Sequence, residues 1–280
     1  MDHVSIQTVP VLSIVGMIVT FLISVGTPII LLTLTMKKWK GKATIGSFFI
    51  GGATFFIFAM VLEQILHTVV LRATGDVLKN NIWLYAVYGG LAAGVFEEVG
   101  RFLAMKFFMK KSLNKENAIV YGIGHGGIEA ILITGMGGIS NLIVTVLINA
   151  GQLDSMLAPL DEATRTLTLE SLSALWTTSS YQFFLGGMER ISAIILHISL
   201  SYLVYLAVKK GKTTWFPIAI AIHAVVDAGT VLLAKVLPVL LLEILLMAVV
   251  FALAYCIYRF LWKNDLTAEP EVNTESKVTE

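Results

Sequence analysis

The chain has 280 residues, of which 56% are hydrophobic and 14% charged, and its formal net charge is +1. Soluble domains carry about 25% charged residues, so an ordinary soluble fold is excluded. No basic patch with interleaved aromatics is present, which excludes nucleic-acid binding. A single cysteine, Cys256, excludes an intrachain disulfide and reads as a packing residue in a late apolar segment.

The first ten residues, MDHVSIQTVP, lack the positive region of a cleaved signal peptide, so the first apolar stretch reads as a span. A span needs about 20 apolar residues. Seven stretches meet this length, at about 8–36, 43–71, 82–109, 117–149, 181–208, 214–234 and 237–262. The expected fold is all-α, a polytopic transmembrane helix bundle of about seven spans. One membrane domain covers 1–262, and 263–280 forms a cytoplasmic tail. That tail is polar and poor in aromatics, a composition that predicts disorder. The loop at about 150–180 mixes Asp154, Asp161, Glu162, Arg165 and Glu170 with Leu157, Leu160, Leu167, Leu169 and Leu172. It fits an amphipathic helix on the membrane surface or a solvated loop.

Lysine and arginine set the orientation. One set of connections holds Lys37, Lys38, Lys40, Lys42, Lys106, Lys110, Lys111, Lys115, Lys209, Lys210, Lys212, Arg259 and Lys263. The opposite set holds only Arg72, Lys79, Arg165 and Lys235. The expected topology places the N-terminus outside and the C-terminus in the cytoplasm of a cell membrane.

Polar residues inside the spans form a pattern. The third span carries Glu97, Glu98 and Arg101, and the fourth carries His125 and Glu129 among glycines. The fifth carries Glu189, Arg190 and His197, and the sixth carries His223 and Asp227. Counted from the flanking lysines at helical rise, Glu97 lies about 13 Å deep, His125 about 15 Å, His197 about 18 Å and His223 about 16 Å. Charge and imidazole inside a membrane are costly and mark functional sites by default. His125 with Glu129, and His223 with Asp227, are spaced i, i+4 and share a helix face. Either pair suits two ligands of one metal, or a ligand and its supporting carboxylate. Glu98 and Arg101 have the i, i+3 spacing of a structural ion pair, and Glu189 and Arg190 read as structural partners too. The glycines near His125, and Gly90 and Gly94, suit close helix approach. His67 reads as interfacial and Glu63 as ambiguous.

The chemistry follows from residue type. A catalytic zinc site uses three protein ligands and an open position, and His125, His197 and His223 supply three imidazoles. Glu97, adjoining Glu98, is the expected base toward a bound water. Glu129, Asp227 and Glu189 would orient the imidazoles or join them as ligands. A metal-free version leaves Glu97 to activate water and the histidines to stabilise the oxyanion. No HExxH motif is present.

The order EE-x-x-R, GHGG-x-E, a lone His, then H-x-x-x-D on successive spans resembles the YhfC family of intramembrane metalloproteases, over about 10–262. It is more distantly similar to the CAAX-protease and bacteriocin-processing superfamily and to the PrsW proteases, over the motifs from 97 to 227. The resemblance implies peptide-bond hydrolysis in or at the membrane. It matches Glu97 and Glu98 to the first motif as the catalytic pair, with Glu97 or its neighbour as water activator, His125 to the middle one, and His223 with Asp227 to the last. His197 stands where the family has an extra histidine. Two departures stand out: the acidic pair is two residues from its arginine rather than three, and the middle motif is His-rich rather than Phe-x-x-x-His. The implied partners are a membrane-embedded or membrane-bound protein or peptide substrate and the lipid bilayer, and the implied cofactor is zinc. An ion- or proton-coupled transporter is a competing reading, although no inverted repeat is visible. A non-catalytic immunity-type membrane protein with a decayed site is another.

Overall fold

A computed structural model describes residues 5–267. It is all-α among the described residues, a bundle of long apolar helices. In chain order these are α1 (Val11–Lys38), α2 (Ile45–Thr74), α3 (Ile82–Leu103), α4 (Lys115–Asn149), α5 (Glu162–Thr177), α6 (Gln182–Lys209), α7 (Trp215–Leu233) and α8 (Val239–Asp265). Six of them, α1, α2, α4, α6, α7 and α8, are long and apolar enough to cross a membrane. The remaining expected span is α3, which runs on through a π-helical turn, Ala104–Phe108. Glu97, Glu98 and Arg101 dilute its apolar character, yet it packs along α7 inside the same bundle. Exposed Val, Leu, Ile and Phe side chains cover the outside of the helices, as contact with lipid requires. The chain is a multi-pass membrane protein.

α6 is the central helix. Of its most apolar stretch 72% is buried, against 39% or less in the other five. It touches α1, α4, α7 and α8, so a polar residue on any of its faces meets a neighbour rather than lipid. Small residues let the flanking helices close in. A side chain at Gly124 of α4 would strike the backbone carbonyl of Phe48 on α2, and one at Gly90 of α3 the carbonyl of Ala224 on α7. Close approach of this kind is how membrane helices gain packing energy without a hydrophobic driving force. Pro28 of α1 uses the same device, its ring lying where Gly127 lacks a side chain.

π-helical stretches interrupt α2 at Phe56–Glu63 and α4 at Ala130–Gly135. Each rotates the following face, and such turns are found preferentially at functional sites. Here one ends on Glu63 and the other begins directly after Glu129.

The long loop is helical. Asp161 caps α5, its Oδ1 accepting from the Thr164 amide at 3.0 Å and its Oδ2 from the Thr164 hydroxyl at 2.7 Å. Leu157, Leu175 and Trp176 pack with Val9, Met17 and Ile148 at that end of the bundle. The expected tail begins differently from its composition: Lys263–Thr267 is helical, and Asp265 pairs with Lys210 at 3.1 Å. Its remainder, 268–280, lies outside the described residues. Cys256 is exposed rather than packed.

Candidate active site

Four helices deliver the polar residues to one place. The imidazole rings of His125 and His197 have centroids 4.7 Å apart, and those of His197 and His223 are 5.3 Å apart. Glu97 joins them from α3, its Oε2 2.8 Å from His125 Nε2 and 4.0 Å from His197 Nδ1. Glu97, His125 and His197 are buried, and their ligand atoms all lie within 4.8 Å of one another. One carboxylate and two imidazoles are a donor set that suits a divalent metal ion such as zinc. His125 Nδ1 is buried and has no hydrogen-bond partner among the described residues.

His223 stands beside this group rather than in it. Its Nδ1 meets Glu98 Oε1 at 2.9 Å, and its Nε2 meets Asp227 Oδ2 at 3.5 Å. A carboxylate accepts, so Nδ1 carries a proton and Nε2 faces Asp227. The i, i+4 spacing of His223 and Asp227 is thus realised as a contact. The other pair diverges: Glu129 turns away from His125 and meets His197 Nε2 at 2.7 Å. Arg190 holds Glu129 Oε1 at 2.8 Å and Glu189 Oε1 at 2.5 Å, so Glu189 pairs with its neighbour instead of reaching His197.

Arg101 is fully buried and binds more than the ion pair expected of it. Its Nε lies 3.0 Å from Glu98 Oε2. One terminal nitrogen donates to the His197 carbonyl at 2.8 Å and to the Ser201 hydroxyl. The other donates to His197 Nδ1 at 2.9 Å. Guanidinium only donates, so His197 Nδ1 is the acceptor and its Nε2–H donates to Glu129. Arg101 therefore decides the tautomer of His197. Sequence reading missed this, and it missed Ser201, whose signal was the i, i+4 spacing from His197.

A cavity of about 260 Å³ opens beside these residues between α6, α7 and α8. Glu97, Glu129, Glu189, His197, His223 and Asp227 line its polar side, and Val226, Leu246 and Val250 its apolar side. Glu98 and His125 are completely enclosed behind it. His67, expected at the membrane edge, and Glu63, whose role the sequence left ambiguous, form a further cluster. His67 bonds Glu63 at 3.1 Å and the Tyr88 hydroxyl at 2.8 Å.

This geometry defines a class: a multi-pass helical membrane protein built around a buried acid–histidine cluster compatible with a metal ion. The model of the YhfC intramembrane metalloprotease family matches residues 20–253, and the chain belongs to that family. It is 40% identical over 220 residues to the uncharacterized membrane protein YhfC of Bacillus subtilis (strain 168), which covers 76% of this chain and 84% of the relative. No solved structure matches the chain.

Proposed function

We propose that the chain is an intramembrane peptidase that hydrolyses a peptide bond of a membrane-embedded or membrane-bound protein in the cavity between α6, α7 and α8. One observation carries the reading: Glu97 bonds His125 and also lines a cavity that it shares with His197, His223 and Asp227. Glu97 uses Oε2 for the imidazoles, which leaves Oε1 for a water in the cavity. In that position it takes the proton of the attacking water and returns it to the leaving amine. Glu98 does a different job. Enclosed and bound by Arg101 and His223, it fixes the His223 ring so that Nε2 faces Asp227 and the substrate.

Zinc is the proposed cofactor, held by Glu97, His125 and His197. When bound it would polarise the water and the scissile carbonyl. One contact favours the metal-free variant: Arg101 already donates to the His197 nitrogen nearest Glu97, and a metal held there has to exchange with it. The lysine asymmetry of the loops supports a cell membrane location with the N-terminus outside.

The test has two readings. New protein N-termini are quantified in membranes from cells carrying the wild type or Glu97→Gln. Cleavage products present with the wild type and absent with the variant are expected, and identical profiles would remove the peptidase. Metal content of purified protein is then compared with His125→Ala. About one zinc per chain, lost in the variant, is expected of a site with this donor set. No metal in either after zinc resupply selects the metal-free variant.

A further inference from the structure

A second cavity, of about 570 Å³, lies at the lysine-rich end of the bundle between the end of α1, the start of α4, α6 and the end of α8. It uses a different face of α6 from the acid–histidine cavity, taking Ile195, Ile198 and Ser199 where the other takes Ala193, Leu196 and His197. Its floor is apolar, built from Ile119, Ile198 and Ile257. Its rim carries Lys38 and Lys42, both exposed, beside Trp39 and Trp262, whose rings are 5.9 Å apart. The backbone holding Lys42 is anchored, since its carbonyl accepts from the Asn114 and Asn117 side chains at 2.9 and 3.2 Å.

One wall residue does not belong in an apolar groove. Glu116 is only 6% exposed and lines the cavity. Its carboxylate has no hydrogen-bond or ion-pair partner among the described residues. Its place in the first turn of α4 favours negative charge through the helix dipole, but the dipole supplies no hydrogen bond to the carboxylate oxygens. The Glu116 carboxylate is reachable from the cavity that it lines and is not one of the sealed acceptors of the bundle, so a ligand with a cationic donor would pair with it there. The rim lysines call for an anion, and the isoleucine floor for a hydrocarbon chain.

We propose that this cavity binds an aminophospholipid, with its phosphate at Lys38 and Lys42, its primary ammonium at Glu116 and an acyl chain along the isoleucines. Basic pockets between membrane helices recognise lipid headgroups in this way, and the buried acid adds the discrimination. Phosphatidylglycerol would bring a phosphate to the site without a cation for Glu116. Phosphatidylcholine has no N–H to donate.

The test is native mass spectrometry of the full chain in detergent with equimolar phosphatidylethanolamine, phosphatidylglycerol and phosphatidylcholine of matched oleoyl chains. Phosphatidylethanolamine is expected to be retained roughly tenfold over the others, the scale of a charge-assisted hydrogen bond. Glu116→Gln brings it down to the level of phosphatidylglycerol, while Glu116→Asp keeps the order. Lys38→Gln with Lys42→Gln lowers retention of phosphatidylethanolamine and phosphatidylglycerol alike, by roughly fivefold per charge. Ala254→Trp, at a half-exposed wall position on α8, expels all three lipids with the unfolding temperature unchanged. Equal retention of the three lipids, a preference that survives Glu116→Gln, or binding that survives Ala254→Trp would each overturn the proposal. None of these outcomes depends on the peptidase reading.

Discussion

At the residue scale, Glu97 and Glu98 are neighbours with opposite surroundings. Glu97 borders the cavity, whereas Glu98 has no exposed surface and is clamped by Arg101 and His223. Glu97→Gln is therefore expected to lower cleavage by about 10²–10⁴-fold at an unchanged unfolding temperature. Glu98→Gln loses both, because it leaves a buried guanidinium without its anion. Arg101→Ala has the mirror-image defect and is expected to cost about 3–5 kcal/mol of stability, read by unfolding in detergent. Ser201→Ala removes one acceptor of Arg101 and costs about 1 kcal/mol in the same measurement. Equal costs for the two would contradict the central position given to Arg101.

At the scale of elements, helix contacts concentrate where side chains are missing. Gly124→Leu drives a side chain into the backbone of α2 and is expected to destabilise by at least about 1–3 kcal/mol, the range for overpacking. Gly46→Leu, on the same helix pair but with nothing within 4 Å, leaves the unfolding temperature unchanged. The cap of α5 is pH-dependent. Hydrogen bonds from Thr164 hold the Asp161 carboxyl below its ordinary 3.8. Its contribution is complete above the carboxylate range and disappears as pH falls through the depressed value. The protection of the Thr164 amide, taken relative to its intrinsic exchange rate at each pH, should therefore fall on acidification, and Asp161→Ala should show the low protection already at neutral pH.

For the whole molecule, the bilayer replaces water as the solvent of the exposed apolar surface, so polar groups collect inside the bundle and at its two ends. The lysine distribution predicts which end faces the cytoplasm. Thr166→Cys and Lys111→Cys, each in a Cys256→Ser background, test it with a membrane-impermeant maleimide on intact cells. Labelling at 166 alone is expected, and labelling at 111 alone would invert the proposed topology.

Much of this architecture was legible in the chain, and the reason is the environment. A membrane span must be about 20 apolar residues of helix, so composition and length led directly to α1, α2, α4, α6, α7 and α8. The expense of intramembrane charge singled out Glu97, Glu98, His125, His197 and His223, and helical rise gave them a common depth. Partnership was a different matter. Spacing along one helix paired His223 with Asp227 correctly, but it also invited His125 to Glu129, whereas the bundle joins His125 to Glu97 and Glu129 to His197. Likewise Arg101 looked like a local counter-ion and became the donor that orients His197. Periodicity records which residues share a face of one helix. Which face meets which neighbour depends on crossing and rotation, set here by contacts such as Gly124 on Phe48 and by the π-helical turn after Glu129, and those exist only once the helices have packed.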